Sequence, residues 1–487
     1  MMTVKAADIF RLLPEIILSA FAVLVMVLDP FVKTRKSGLG WLALAGVIAT
    51  GVGTFWTSQA PGESFRRSLA ADPFSLYFIL IFLLVAALTI LGSVRYLERD
   101  NINHGEFYAL VLMATVGACF MAASMDLILL FIGLEISSIS TYILAGFKRT
   151  DALSNEASLK YFLLGSFATA FFLYGIAFVY GLTGTTNLLT INERLGRGDP
   201  AAASHFLWVA AILLFVGIAF KASTAPFQIW TPDVYQGAPA PVSALLSVGP
   251  KAAAFAILLR VFLGGLATTS AVTFWVLWLS AILTMCLGNL GALFQPNVKR
   301  LLGYSSIAHA GYVLVGIAAA LRTGGAEGSA SVLFYLIAYA LMNVGAFVLV
   351  AHLAGTGERA TSIDDYTGLG YLRPGTAAVL SVLLLSLAGL PTTAGFFAKF
   401  YVFRAAVHAH LIGLTIVAVL NSVVSWYYYL RIVVAMYMRE GKTEASTYAV
   451  PWPLGTALFV SVVGILFLGL YPNLFLKLAS LAARPLP

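Results

Sequence analysis

Fourteen apolar runs of about twenty residues, joined by short connections, take up nearly the whole of this 487-residue chain. Wound as a helix, a run of that length matches the hydrocarbon core of a bilayer. The chain is 60% hydrophobic and 10% charged, where soluble domains carry roughly 25% charged residues, so it has no means of hiding its apolar surface from water. In lipid every backbone N–H and C=O must be bonded within the chain, which leaves helices or a closed barrel. The runs lack the alternation of barrel strands, and an all-α, polytopic membrane protein is predicted.

The predicted spans are 12–30, 39–57, 74–95, 106–123, 126–147, 157–181, 204–228, 241–263, 272–294, 299–320, 330–354, 375–403, 410–437 and 453–479. The net charge of +8 comes from Lys and Arg in the connections and not from a nucleic-acid surface. About thirteen of them fall in one alternate set of loops, Lys33, Arg35, Lys148, Arg149, Lys299, Arg300 and Lys442 among them, against six in the other. The positive-inside rule makes the first set cytoplasmic and puts both termini on the other side. Pro14 and Glu15 beside the first run, with no basic region or small-residue cleavage site, argue against a cleaved signal peptide.

Two spans carry matching flaws. The seventh reads GIAFKASTAPFQIW and the twelfth SLAGLPTTAGFFAKF. Proline removes a donor and clashes with the preceding turn, so each helix should break, near Pro226 and near Pro391, beside a lysine. Broken helices at corresponding places of two halves point to a transport site. The breaks lie five spans apart, and an odd number of spans inverts each copy. The expected organisation is therefore a three-helix segment (1–105), inverted five-helix repeats (106–265 and 266–440) and a C-terminal helix (441–487).

Inside these spans sit Glu135, Lys221, Lys251 and Lys399. A charge at the bilayer centre costs at least ~2.5–3.5 kcal/mol, so such residues face a protein interior or a water-filled path. Burial lowers a lysine's proton affinity and a nearby carboxylate raises it. Moving the carboxylate's charge would then switch the lysine between holding and releasing a proton. Glu135, among the hydroxyls of Ser137, Ser138, Ser140 and Thr141, is the expected partner of Lys221. A lysine snorkelling to an interface, or a purely structural ion pair, is the bland alternative. Lys160, one turn inside the sixth span, and His309, beside Ser305, Ser306 and Tyr312, are weaker relay candidates. His352, Tyr335 and Asn343 are weaker again.

The only cysteines, Cys119 and Cys286, lie inside spans, and the sequence has no CxxC, His-rich tract, P-loop or dinucleotide motif. No metal, cluster or nucleotide site is expected.

The segments GLEISSISTYIL, FKASTAPFQIWTPDVYQGAPAPVSALLS, NVKRLLGYSSIAHAGY and SLAGLPTTAGFFAKF resemble the antiporter-like membrane subunits of respiratory complex I, the proton-pumping NADH:quinone oxidoreductase. The resemblance covers about residues 70–440. It implies that a glutamate of the fifth span pairs with a lysine of the seventh. Lysines of the eighth and twelfth then complete a central hydrophilic axis, which falls on Glu135, Lys221, Lys251 and Lys399. It also implies a subunit with no cofactor of its own, with NADH, FMN, iron–sulfur clusters and quinone held by partner subunits. The expected neighbours are antiporter-like subunit M and small membrane subunits on the quinone side, in a bacterial inner membrane. Lysine at 399 and a single span beyond the repeats resemble the N-type branch. A multisubunit sodium/proton antiporter, which shares the core, is the alternative.

Overall fold

A computed structural model of the chain describes residues 5–32, 36–197, 205–441, 443–446 and 448–483. Lys33, Arg35 and Lys442 of the basic loop set lie outside the described residues. Among those described, thirteen helices are long and apolar enough to cross a membrane: Leu13–Phe31, Ser37–Thr57, Pro73–Arg99, Gly105–Ala123, Leu127–Ala145, Ala152–Thr183, His205–Ala222, Ala240–Gly265, Ala271–Leu293, Val298–Thr323, Ala326–Leu353, Ile412–Met438 and Trp452–Leu470. Two shorter helices, Pro374–Ala388 and Ala394–His408, make up the twelfth of fourteen spans.

Helix starts follow local chemistry. Asp72 accepts from the Ser75 amide at 2.7 Å with Pro73 in the first turn, and Asp126 and Asp151 cap the fifth and sixth spans in the same way. Both predicted breaks are present. The seventh span stops at Ala222 and resumes as a short helix, Thr231–Gly237, and the twelfth is open between Ala388 and Ala394.

The last predicted span, 453–479, is two helices. Trp452–Leu470 ends before Pro472, which opens a second helix, Pro472–Ala482, because proline suits a first turn and not an interior. Two elements in polar connections had no apolar signal to announce them: a hairpin pairing Gly62–Ser64 with Leu69–Ala71, and the helix Leu188–Gly196.

The eighth span lies at the centre, buried at every position from Ala240 to Leu259. The sixth and thirteenth lie at the edge, turning Phe167 and Val423 outward at 67% and 65% exposure. An apolar outer surface is what a lipid-facing edge requires.

Candidate functional site

The backbone freed at the first break is recaptured by the ninth span. Ala225 donates its amide to Thr284 Oγ1 at 2.8 Å, and its carbonyl accepts from Ser280 Oγ at 2.6 Å. Ser223 takes φ +58 to make the turn. The last turn before the opening is thereby fixed, and Lys221 stands on it, 2% exposed. Its ammonium donates to Ser138 Oγ at 2.9 Å and Tyr161 Oη at 3.2 Å, and lies 5.4 Å from the centre of the Tyr161 ring. Tyr161 is held in turn by stacking on Trp230, just past the break, with ring centres 4.4 Å apart.

Glu135 stands one turn before Ser138 on the fifth span. It makes no direct ion pair with Lys221: no contact within 4.0 Å joins them, and its Oε1 is buried without a hydrogen-bond partner among the described residues.

Lys251 follows Pro250 in an unbroken helix. Its ammonium donates to the hydroxyl of Ser306 and to the Ser306 carbonyl oxygen at 3.2 Å, and Tyr235 presents its ring 5.5 Å away. One turn along the same tenth span, His309 is 1% exposed. Its Nδ1 is 2.6 Å from Tyr335 Oη and its Nε2 is 3.1 Å from Tyr429 Oη.

The second break has the same logic with the order reversed. Gly389 (φ +96) and Thr392 (φ +73) turn the chain. A Cβ at Gly395 would run into the Ser386 carbonyl oxygen, so the two half-helices meet only over glycine. Lys399, on the second half, reaches back to the freed Ala388 carbonyl at 2.8 Å and to Ser422 Oγ at 3.0 Å. It is 4% exposed. Three lysines are thus buried with no carboxylate in direct contact, each meeting a hydroxyl and an aromatic face, and Lys251 and Lys399 a carbonyl as well.

Lys160 is elsewhere. It is 40% exposed at the end of the sixth span, 2.6 Å from Glu156 and 2.7 Å from Asp233, and Asp233 also meets Arg300 at 2.6 Å. Burial works against the Asp233 carboxylate, but Lys160 and Arg300 outweigh it and hold its pKa below the usual carboxylate range. His352 faces the Tyr448 carbonyl at 3.3 Å, and Asn343 is buried in the eleventh span with neither amide atom bonded among the described residues.

Two charged residues outside the sequence reading matter to the architecture. Arg260, in the eighth span, is fully buried and donates to Asp72 at 2.8 Å and the Ala122 carbonyl at 2.6 Å. Its signal was plain, an arginine inside an apolar run. Glu358, in the loop after the eleventh span, gave no such signal. It meets Lys299 at 2.5 Å, the Ala240 amide at 2.8 Å and the Tyr96 hydroxyl, with Lys148 at 3.8 Å. Burial would push its carboxyl up, but Lys299 and Lys148 hold it down at about 2. Among the described residues no cluster of three or more His, Cys, Asp or Glu is placed to hold a metal.

The family model for the NADH:quinone oxidoreductase/Mrp antiporter transmembrane region matches residues 124–425. The chain is 49% identical over 482 residues to NADH-quinone oxidoreductase subunit N 1 of Solibacter usitatus, covering 98% of each. It is 44% identical to NADH-quinone oxidoreductase subunit N of Trichlorobacter lovleyi, covering 99% of this chain and 100% of that one. Among solved structures, a chain of respiratory complex I from Thermus thermophilus with bound aureothin superposes with a TM-score of 0.81 at 37% identity, covering 96% of this chain and 99% of that one. A chain of the Mrp complex from Dietzia sp. superposes with a TM-score of 0.83 at 22% identity, covering 98% and 97%, a likeness of fold.

Proposed function

This chain belongs to the NADH:quinone oxidoreductase/Mrp antiporter membrane family, and from that premise we propose that it is the N-type proton-translocating subunit of an NADH:quinone oxidoreductase. The observation that carries the mechanism is the set of three lysines, Lys221, Lys251 and Lys399, each buried without a direct counter-ion. Glu135 sets the proton affinity of Lys221 through space. A change at one station alters the field at the next, and the proton moves along Lys221, Lys251, His309 and Lys399.

Electron transfer is the task of partner subunits that carry FMN, iron–sulfur clusters and the quinone site. This chain contributes no redox group. Its neighbours are subunit M on one side and the small membrane subunits of the quinone side on the other. Spans 4–8 and 9–13 form the two inverted units, with the domain limits given above. Lys160 and Asp233 stand at the mouth of the first unit, where an exposed ion pair suits proton collection better than transfer. The sodium/proton antiporter reading shares the family model and the fold, whereas the 49% and 44% relatives are both oxidoreductase N subunits.

The test is proton uptake per NADH oxidised by vesicles carrying the assembled complex. Lys221→Ala and Glu135→Gln should leave assembly intact and lower that ratio, the alanine variant at least as much as the glutamine one. Normal ratios in both, with normal assembly, would remove the pair from the mechanism.

A further inference from the structure

The helix Pro472–Ala482 has two distinct faces. Asn473, Leu476, Lys477 and Ser480 fall at i, i+3, i+4 and i+7 and line a cavity of about 430 Å³. Leu474, Leu478 and Leu481 fall on the adjacent face and are 53%, 47% and 41% exposed. The helix packs against the eleventh and third spans. The cavity's other walls are the start of the eleventh span, at Glu327 and Ala330, and the end of the twelfth, at Tyr401 and Arg404. Spans begin and end at the membrane surface, so the cavity opens where hydrocarbon meets headgroups. A helix with a leucine stripe beside a polar one suits that boundary plane.

The cations on these walls are unspent. Arg404 uses its Nε on Glu327 Oε1 at 3.1 Å, and among the described residues its two terminal nitrogens have no hydrogen-bond partner. Lys477 gives its backbone carbonyl to Ser480 Oγ at 2.8 Å, while its ammonium is in no hydrogen bond or ion pair among the described residues. The carboxylate at the cavity, Glu327, is shared, with His408 Nδ1 3.0 Å from its Oε2. Arg404 and Lys477 against Glu327 leave one net positive charge, to which His408 adds when protonated. Tyr401 Oη donates to Asn473 Oδ1 at 3.5 Å, and Ser331 gives its hydroxyl to the Gly328 carbonyl. The donors left over belong to Arg404, Lys477 and the Asn473 amide.

We propose that this cavity binds the phosphodiester headgroup of an anionic phospholipid, with the acyl chains laid along Leu474, Leu478 and Leu481. Arg404 offers a planar fork that matches two phosphate oxygens, and Lys477 adds a compact charge from the opposite wall. The net positive charge selects a headgroup with a net negative one over a zwitterionic headgroup. The leucines select a lipid over free phosphate. The bound headgroup bridges the twelfth span to the last helix, because one of its two cations stands on each. The site lies apart from Lys221, Lys251 and Lys399 and does not depend on how they handle protons.

The experiment places the assembled complex in nanodiscs doped with phosphatidylglycerol carrying a diazirine on one acyl chain, or with phosphatidylcholine carrying the same chain. Crosslinked peptides are mapped by mass spectrometry. In the wild type, phosphatidylglycerol should label Pro472–Ala482 several-fold more than phosphatidylcholine does. Losing one cation at a lipid surface is worth about fivefold. Lys477→Gln and Arg404→Gln should therefore each lower the phosphatidylglycerol signal by about that factor and leave the phosphatidylcholine signal unchanged. The signal should survive an excess of inorganic phosphate, compared with chloride at the same ionic strength. Equal labelling by the two lipids, or an unchanged signal in Lys477→Gln, would mean an ordinary boundary lipid and overturn the proposal. Displacement by phosphate and not by chloride would make this a site for free phosphate and overturn the lipid assignment. Absence of label from this helix with both probes would show that lipid does not occupy the cavity. If Arg404→Gln releases Glu327 and fails to assemble, Lys477→Gln, which breaks no side-chain bond, decides the matter alone.

Discussion

Glu358 and Lys221 are both buried in a charged setting, and the difference between them separates a clasp from a station. Glu358 touches Lys299 directly and has Lys148 close by. Its carboxyl, pulled from 4.5 to about 2, stays ionised at every physiological pH. That drop is worth about 3 kcal/mol. A depressed carboxylate contributes stability above its unfolded value near 4.5 and loses it as the pH falls toward 2. Glu358→Gln should therefore lower the thermal midpoint of the purified complex at pH 7, and its deficit relative to the wild type should shrink below about pH 4.5. A deficit that is absent at pH 7, or constant with pH, would show that Lys299 and Lys148 do not hold this carboxylate. Lys221 has only neutral hydroxyls in hydrogen-bond contact. Sequence reading located Lys221, Lys251 and Lys399 because a charge in an apolar run is conspicuous. It passed over Glu358 because a carboxylate in a loop is ordinary until the fold buries it.

At the scale of elements, apolar length and proline were enough to place fourteen spans and both breaks. What escaped is what those signals do not encode. The hairpin at 62–71 and the helix Leu188–Gly196 are polar segments ordered by contacts between connections, such as the bridges of Leu69 with Ser124 and Asp126 with Asn187. The split before Pro472 was written in the sequence, but the apolar run continued through it. The two breaks also differ in a way the motifs left open: Lys221 precedes its opening, and Lys399 follows its own and turns back to the freed carbonyl of Ala388.

For the whole molecule, we propose from the loop charges that Arg149 faces the cytoplasm and Gln59 the far side. A membrane-impermeant thiol reagent applied from outside should label Gln59→Cys and not Arg149→Cys, in a background without Cys286. The reverse pattern would invert the proposed topology. The central claim is that the lysines change protonation as the molecule works, and Lys399→Arg addresses it most directly. Arginine keeps the positive charge but cannot give up its proton in a protein, so it separates a fixed charge from a station. Proton uptake per NADH oxidised, normalised to assembled complex, should fall in Lys399→Arg as it does in Lys399→Ala. Full pumping by the arginine variant would mean that Lys399 is a fixed charge and would contradict the account.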